Sequence, residues 1–145
     1  MSRSSERLKK FEYIDHPADI AFRVYGRTLV SLFKNAAQAI YDILKPHKSS
    51  CKRVYIKKDQ ISSDSLDGLL VLFLNEILYL ALEKHLIFTK ILIKISWSRV
   101  PNILKYEMIG HKIDDVAREI KAVTYHNLKI RRISNYYQAD IIVDI

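Results

Sequence analysis

The sequence predicts an α+β fold in two layers, with two helices packed on a mostly antiparallel sheet. Three observations lead there. Stretches 28–44 and 65–84 carry apolar residues at helical spacing or on most faces. Segments at both ends of the chain and after the second helical stretch alternate with period two. The links between them are short, and 3 Gly and 3 Pro in 145 residues leave little room for flexible linkers.

Taken in order, residues 1–10 read as a basic, disordered arm ahead of a single domain over 11–145. Residues 11–14 (FEYI) and 20–25 (IAFRVY) read as short strands, and Gly26 turns the chain. Thr28 caps a helix in which Leu29, Leu32, Phe33, Ala36, Ile40, Ile43 and Leu44 share one face; Pro46 ends it. Residues 52–57 read as a strand. Asp64 or Ser65 caps the second helix, which is apolar on most faces apart from Asn75 and Glu76 and is expected to be the central buried one. The stretch TKILIKISW alternates Ile91, Ile93 and Ile95 against Lys90, Leu92 and Lys94, and 102–113 is its hairpin partner. Residues 112–118 read as a polar connection, and 120–133 with 138–144 as a last hairpin turned at Ser134-Asn135.

Charge and composition narrow the function. The net charge of +8 favours contact with nucleic acid, an anionic surface or an acidic protein, although the basic residues form scattered clusters and not one stripe. The single cysteine, Cys51, fits a reducing compartment. The polar opening SRSSERLKK lacks the apolar region of a secretory signal, and the apolar run 69–82 is short for a bilayer span; a cytoplasmic protein that leaves membranes alone is expected. There is no P-loop, GxGxxG, GxSxG, HExxH or paired CxxC.

Three stretches hold the residues capable of chemistry. YIDHPADI places Asp15, His16 and Asp19 between apolar flanks, with Pro17 stiffening the bend. KAVTYHNLKI brings Lys121, Tyr125 and His126 into one short segment. QADIIVDI ends on a hydrophobic strand, with Asp144 one residue from the carboxylate of Ile145. The residues themselves leave open a plain edge strand with Asp144 in solvent, and a hydrogen-bonded core histidine at His126. Were the three stretches to meet, Asp19, Asp144 and the Ile145 carboxylate would form an oxygen cluster. Close like charges need compensation, and Ca²⁺, Mg²⁺ or Mn²⁺ supplies it. His16, Lys121 or His126 would then hydrogen-bond the ligands.

Together these motifs resemble the archease family. The matching pieces are DHPAD, Ile20-Ala21-Phe22, Tyr25-Gly26, the helix opening Thr28-Leu29 with Ala36 and Ala37, KAVTYHNLKI, and the terminal VDI, in the family's order from about residue 11. The resemblance implies a small α+β protein that is not itself an enzyme. It implies a partner of the tRNA-splicing RNA ligase, which joins a 2′,3′-cyclic phosphate or 3′-phosphate end to a 5′-hydroxyl with GTP and a divalent metal. The implied role is to promote ligase guanylylation and repeated turnover, with RNA met through the ligase. The family's metal site maps by motif onto Asp19, Asp144 and Ile145, the last through its carboxylate or a main-chain oxygen. Lys121 becomes the companion basic residue, His126 a further candidate, and Asp15 and His16 supporting groups. Two positions depart from the family pattern. Pro17 stands where Thr is frequent, and HKIDDVAR after Gly110 replaces a longer polar loop carrying a His, so His111 takes no role.

Two rival classes follow from the residues alone. One is a metal-dependent phosphoester hydrolase, in which two Asp, a Lys and a His around a hard cation activate water. The other is a basic RNA-binding or chaperone-like module, whose binding would be steeply salt-dependent.

Overall fold

The computed structural model describes residues 7–16 and 19–145. Residues 1–6 of the expected basic arm, and Pro17 and Ala18 of the stiffened bend, lie outside the described residues. In chain order the elements are β1 (Phe11–Ile14), β2 (Ile20–Gly26), α1 (Leu29–Leu44), β3 (Pro46–Lys48), β4 (Tyr55–Ser63), α2 (Leu66–Leu82), β5 (Leu86–Ser96), β6 (Asn102–Val116), β7 (Ala122–Val123), β8 (Arg131–Ile133) and β9 (Tyr136–Asp144).

The α+β class stands: two helices pack on antiparallel strands. The strands divide between two sheets where the sequence suggested one. The first runs β1-β2-β9-β7, with β8 also on β9; the second has β6 at its centre, paired with β3, β4 and β5. One apolar core joins both sheets and both helices, with Phe22, Phe33, Phe73, Leu74, Ile77 and Met108 among its fully buried side chains. Burying such side chains is the main force holding the layers together, at roughly 1.5–3 kcal/mol each.

Local chemistry explains both helices. Thr28 Oγ1 accepts the Ser31 N–H and Ser31 Oγ accepts the Thr28 N–H, each at 3.0 Å, so a reciprocal capping box starts α1. The helix stops at Lys45, whose left-handed φ of 47° breaks the helical path one residue before Pro46. Ser65, not Asp64, caps α2 by accepting the Gly68 N–H at 2.9 Å. As expected, α2 buries most of its circumference. Two polar residues in its middle hold neighbouring elements. Tyr106 donates its phenol hydrogen to Glu76 at 2.8 Å, and Asn75 binds the backbone of Val123.

Four strand expectations need correction. The predicted strand 52–57 begins later and runs to Ser63. Its polar continuation lies at the sheet edge, and a full ladder to β6 fixes it where hydrophobic alternation is weak. The polar connection 112–118 is strand as far as Val116, because β6 extends past β5 to pair with β3. That short strand, β3, went unread. Finally, 120–133 is not one strand but β7 and β8 separated by an irregular segment, with Asn127 at a left-handed φ of 54°. β9 is not an edge: β2 flanks it on one side, β7 and β8 on the other.

Gly110 marks a close approach. A Cβ there would stand 1.8 Å from the Ile87 carbonyl oxygen, beside the irregularity at Phe88–Lys90 where β5 shifts register against β6.

Candidate functional site

Antiparallel register brings the two ends of the domain together. Ile20 opens β2 opposite Val143, so Asp19, just before it, arrives beside the strand position of Asp144. On the other side of β9, Ala122 stands opposite Asp144, and the Lys121 N–H donates to the Asp144 carbonyl at 2.7 Å. Asp19, Lys121, Asp144 and Ile145 therefore meet at one end of the first sheet.

The segment carrying Lys121 is held from below by α2. Asn75 Oδ1 accepts the Val123 N–H at 2.9 Å, and Asn75 Nδ2 donates to the Val123 carbonyl at 3.1 Å. Asp67 Oδ1 accepts the Ile130 N–H at 2.8 Å. Thr124 continues the β7 contact with β9, its N–H donating to the Ile142 carbonyl at 3.1 Å. His126 follows on an exposed turn. Its contacts are local: its N–H donates to Thr124 Oγ1 and its ring meets the Asn127 amide. They do not carry it to the Asp144 end.

A cleft of about 570 Å³ opens beside Asp19. Asp15 and His16 line it, and His16 Nδ1 lies 3.6 Å from Asp19 Oδ2, an ion pair when the imidazole is protonated. The far wall brings groups that sequence reasoning missed: Tyr13, Asp42, Lys45 and Arg118. Tyr13 donates its phenol hydrogen to Asp42 Oδ2 at 2.5 Å. Burial, then that hydrogen bond, push the Tyr13 phenol up to about 12. No local sequence signal marks these residues as a group. Asp42 stands on the polar side of α1 and meets β1 only because α1 lies across the first sheet.

The donors at the sheet end are oxygens. Asp19 is partly exposed, and Asp144 and Ile145 are exposed. The Asp144 carbonyl is committed to Lys121, which leaves its carboxylate available. Among the described residues, no three His, Cys, Asp or Glu side chains gather into a metal cage. A cation here would combine two carboxylates with oxygens of Ile145 and complete its shell from water or a partner. That open, all-oxygen set suits a hard divalent ion. Further along β9, Arg23 forks onto its register partner Asp140, with contacts of 2.7 and 3.0 Å, which pins β2 to β9 and so fixes where Asp19 falls.

Residues 11–145 match the archease protein family (MTH1598/TM1083). The protein archease of Methanosarcina barkeri is 32% identical, over 97% of this chain and 99% of that one. Its counterpart in Pyrococcus furiosus is 33% identical, over 95% and 100%. Among solved structures, Methanobacterium thermoautotrophicum protein 1598 superposes with a TM-score of 0.76 at 28% identity, over 95% of this chain and 100% of that one. A Thermotoga maritima protein described as an archease and possible chaperone shares the fold, with a TM-score of 0.67 at 19% identity over 97% and 99%. No helix among the described residues is long and apolar enough to cross a membrane.

Proposed function

The chain belongs to the archease family, and from that premise we propose that it is a non-catalytic activator of a tRNA-splicing RNA ligase in the cytoplasm, promoting guanylylation and repeated turnover. The observation that carries the reading is the convergence of Asp19, Lys121, Asp144 and Ile145 at an exposed sheet end. A group meant to enter another protein's active site must project and must be held firmly. β9 brings Asp144 and Ile145 to an exposed end, and its pairing on both sides supplies the rigidity.

In this reading Asp19, Asp144 and Ile145 hold a divalent cation, Ca²⁺, Mg²⁺ or Mn²⁺, with Asp15 and His16 at its flank. A bound ion would supply positive charge that stabilises negative charge on a phosphate. The residues of this chain do the positioning. The β2–β9 ladder sets the separation of the two Asp residues, and the Lys121 amide fixes the last turn of backbone. The Lys121 side chain is exposed, on a residue whose backbone pairs with Asp144, and would supply the companion cationic group.

The test is ligation with the ligase limiting. The expected result is more product per ligase molecule, and a larger guanylylated fraction, when this protein is added. No change in either quantity contradicts the reading. Metal-dependent release of product from a model phosphoester, lost in Asp19→Ala, would instead place the protein among hydrolases.

A further inference from the structure

We propose that the outer face of the second sheet is a second docking surface, distinct from the Asp144 end, and that it takes an acidic, partly apolar segment of a partner protein.

A groove of about 500 Å³ lies on this face and reaches past β5 to α1. Lys34, Lys58, Lys94 and Lys105 line it, with Glu107 the only carboxylate among the described lining residues, and Leu92 lies among them, half exposed. It shares no lining residue with the cleft beside Asp19. All four lysines are exposed, and none makes an ion pair among the described residues. Glu107 stands opposite Lys58 in the β4–β6 register without pairing to it.

Lys94 and Lys105 stand directly opposite each other on β5 and β6. Like charges in facing positions weaken a sheet. Leaving Leu92 and Ile56 exposed on the same face works against solubility; Ile56 is 63% exposed. A face meant only for solvent needs neither feature, and both are relieved when carboxylates and apolar side chains cover it.

Charge complementarity makes the occupant anionic, and the floor decides which kind. Its aliphatic side chain exposed on this face is Leu92, and Tyr106, the one aromatic among the described lining residues, is 4% exposed with its phenol given to Glu76. A nucleic acid strand gains affinity by stacking bases on exposed aromatic rings, and none is offered. Aliphatic contacts flanked by lysines suit a peptide that alternates carboxylates with Leu or Ile. Such a peptide could lie extended across the three strands β4-β6-β5.

The probe is a labelled synthetic peptide of alternating Glu and Leu, titrated against the full chain by fluorescence anisotropy. A Glu-Ser peptide and a single-stranded RNA of similar length run alongside. The expected result is binding of the Glu-Leu peptide that weakens about tenfold in the double variant K94E/K105E. It should also weaken in Leu92→Ser and for the Glu-Ser peptide, and stay unchanged in Asp144→Ala. Circular dichroism of each variant shows that the fold persists. Equal affinity of wild type and K94E/K105E overturns the proposal. So does RNA that binds more tightly than the peptide through the same lysines, which would make the face a nucleic acid surface. Because Asp144→Ala leaves this readout untouched, its outcome is separable from that of the activator reading.

Discussion

Asp19 and Asp144 come from opposite ends of the domain and owe their proximity to one register, Ile20 against Val143. If both carboxylates bind a cation, Mn²⁺ at about a hundred times its dissociation constant stabilises the wild type by about 2.7 kcal/mol. The expected outcome is a rise in melting temperature with Mn²⁺ that disappears in Asp19→Ala and in Asp144→Ala; a rise kept in both variants places the ion elsewhere. A second prediction concerns Tyr13. Its phenol is raised from the ordinary value of 10 to about 12, so the fold favours the neutral form. The stabilisation is whole below pH 10 and is lost as pH rises through about 12. The difference in phenolate absorbance between wild type and Tyr13→Phe should therefore show a tyrosine titrating near 12, not near 10. At this scale Asp15, His16, Asp19, Lys121, His126, Asp144 and Ile145 stand out in a linear text as chemically capable groups in apolar stretches or at the chain end, but that Asp19, Lys121, Asp144 and Ile145 share one sheet end depends on a register that spacing does not encode. Tyr13, Asp42, Lys45 and Arg118 do not stand out, since each looks like an ordinary surface residue until α1 and β6 are in place.

Elements position these residues, and two substitutions probe that directly. Asn75 satisfies both backbone groups of Val123 from inside the apolar helix α2. Asn75→Leu leaves an amide and a carbonyl without partners and should cost about 2 kcal/mol or more in denaturant unfolding. The Val123 amide should also exchange faster, which separates loosening of β7 from general destabilisation. Gly110→Ala places a methyl group against the Ile87 carbonyl and should cost about 2 kcal/mol, because backbone has to move. Both helices, β1, β2 and the β5–β6 hairpin were readable from period and caps. The segment between β7 and β8 was not. Its apolar residues alternate well enough to suggest a strand, but Asn75 and Asp67 hold it to α2 by backbone contacts that residue periodicity does not encode. β3 escaped for a similar reason: three residues carry no pattern, and only the overhang of β6 recruits them.

For the molecule as a whole, two sheets and two helices make a rigid frame with an acidic, oxygen-rich end on one sheet and a lysine-rich face on the other. On the proposed reading the first is the group that acts and the second the surface that docks. The central claim is that the Asp144 end acts on a ligase. The most direct measurement is multiple-turnover ligation with limiting ligase, comparing the wild type with Asp144→Ala and with a variant extended past Ile145. We predict that the wild type drives many turnovers and that both variants leave the ligase near a single one. Equal turnover with all three proteins would contradict the claim.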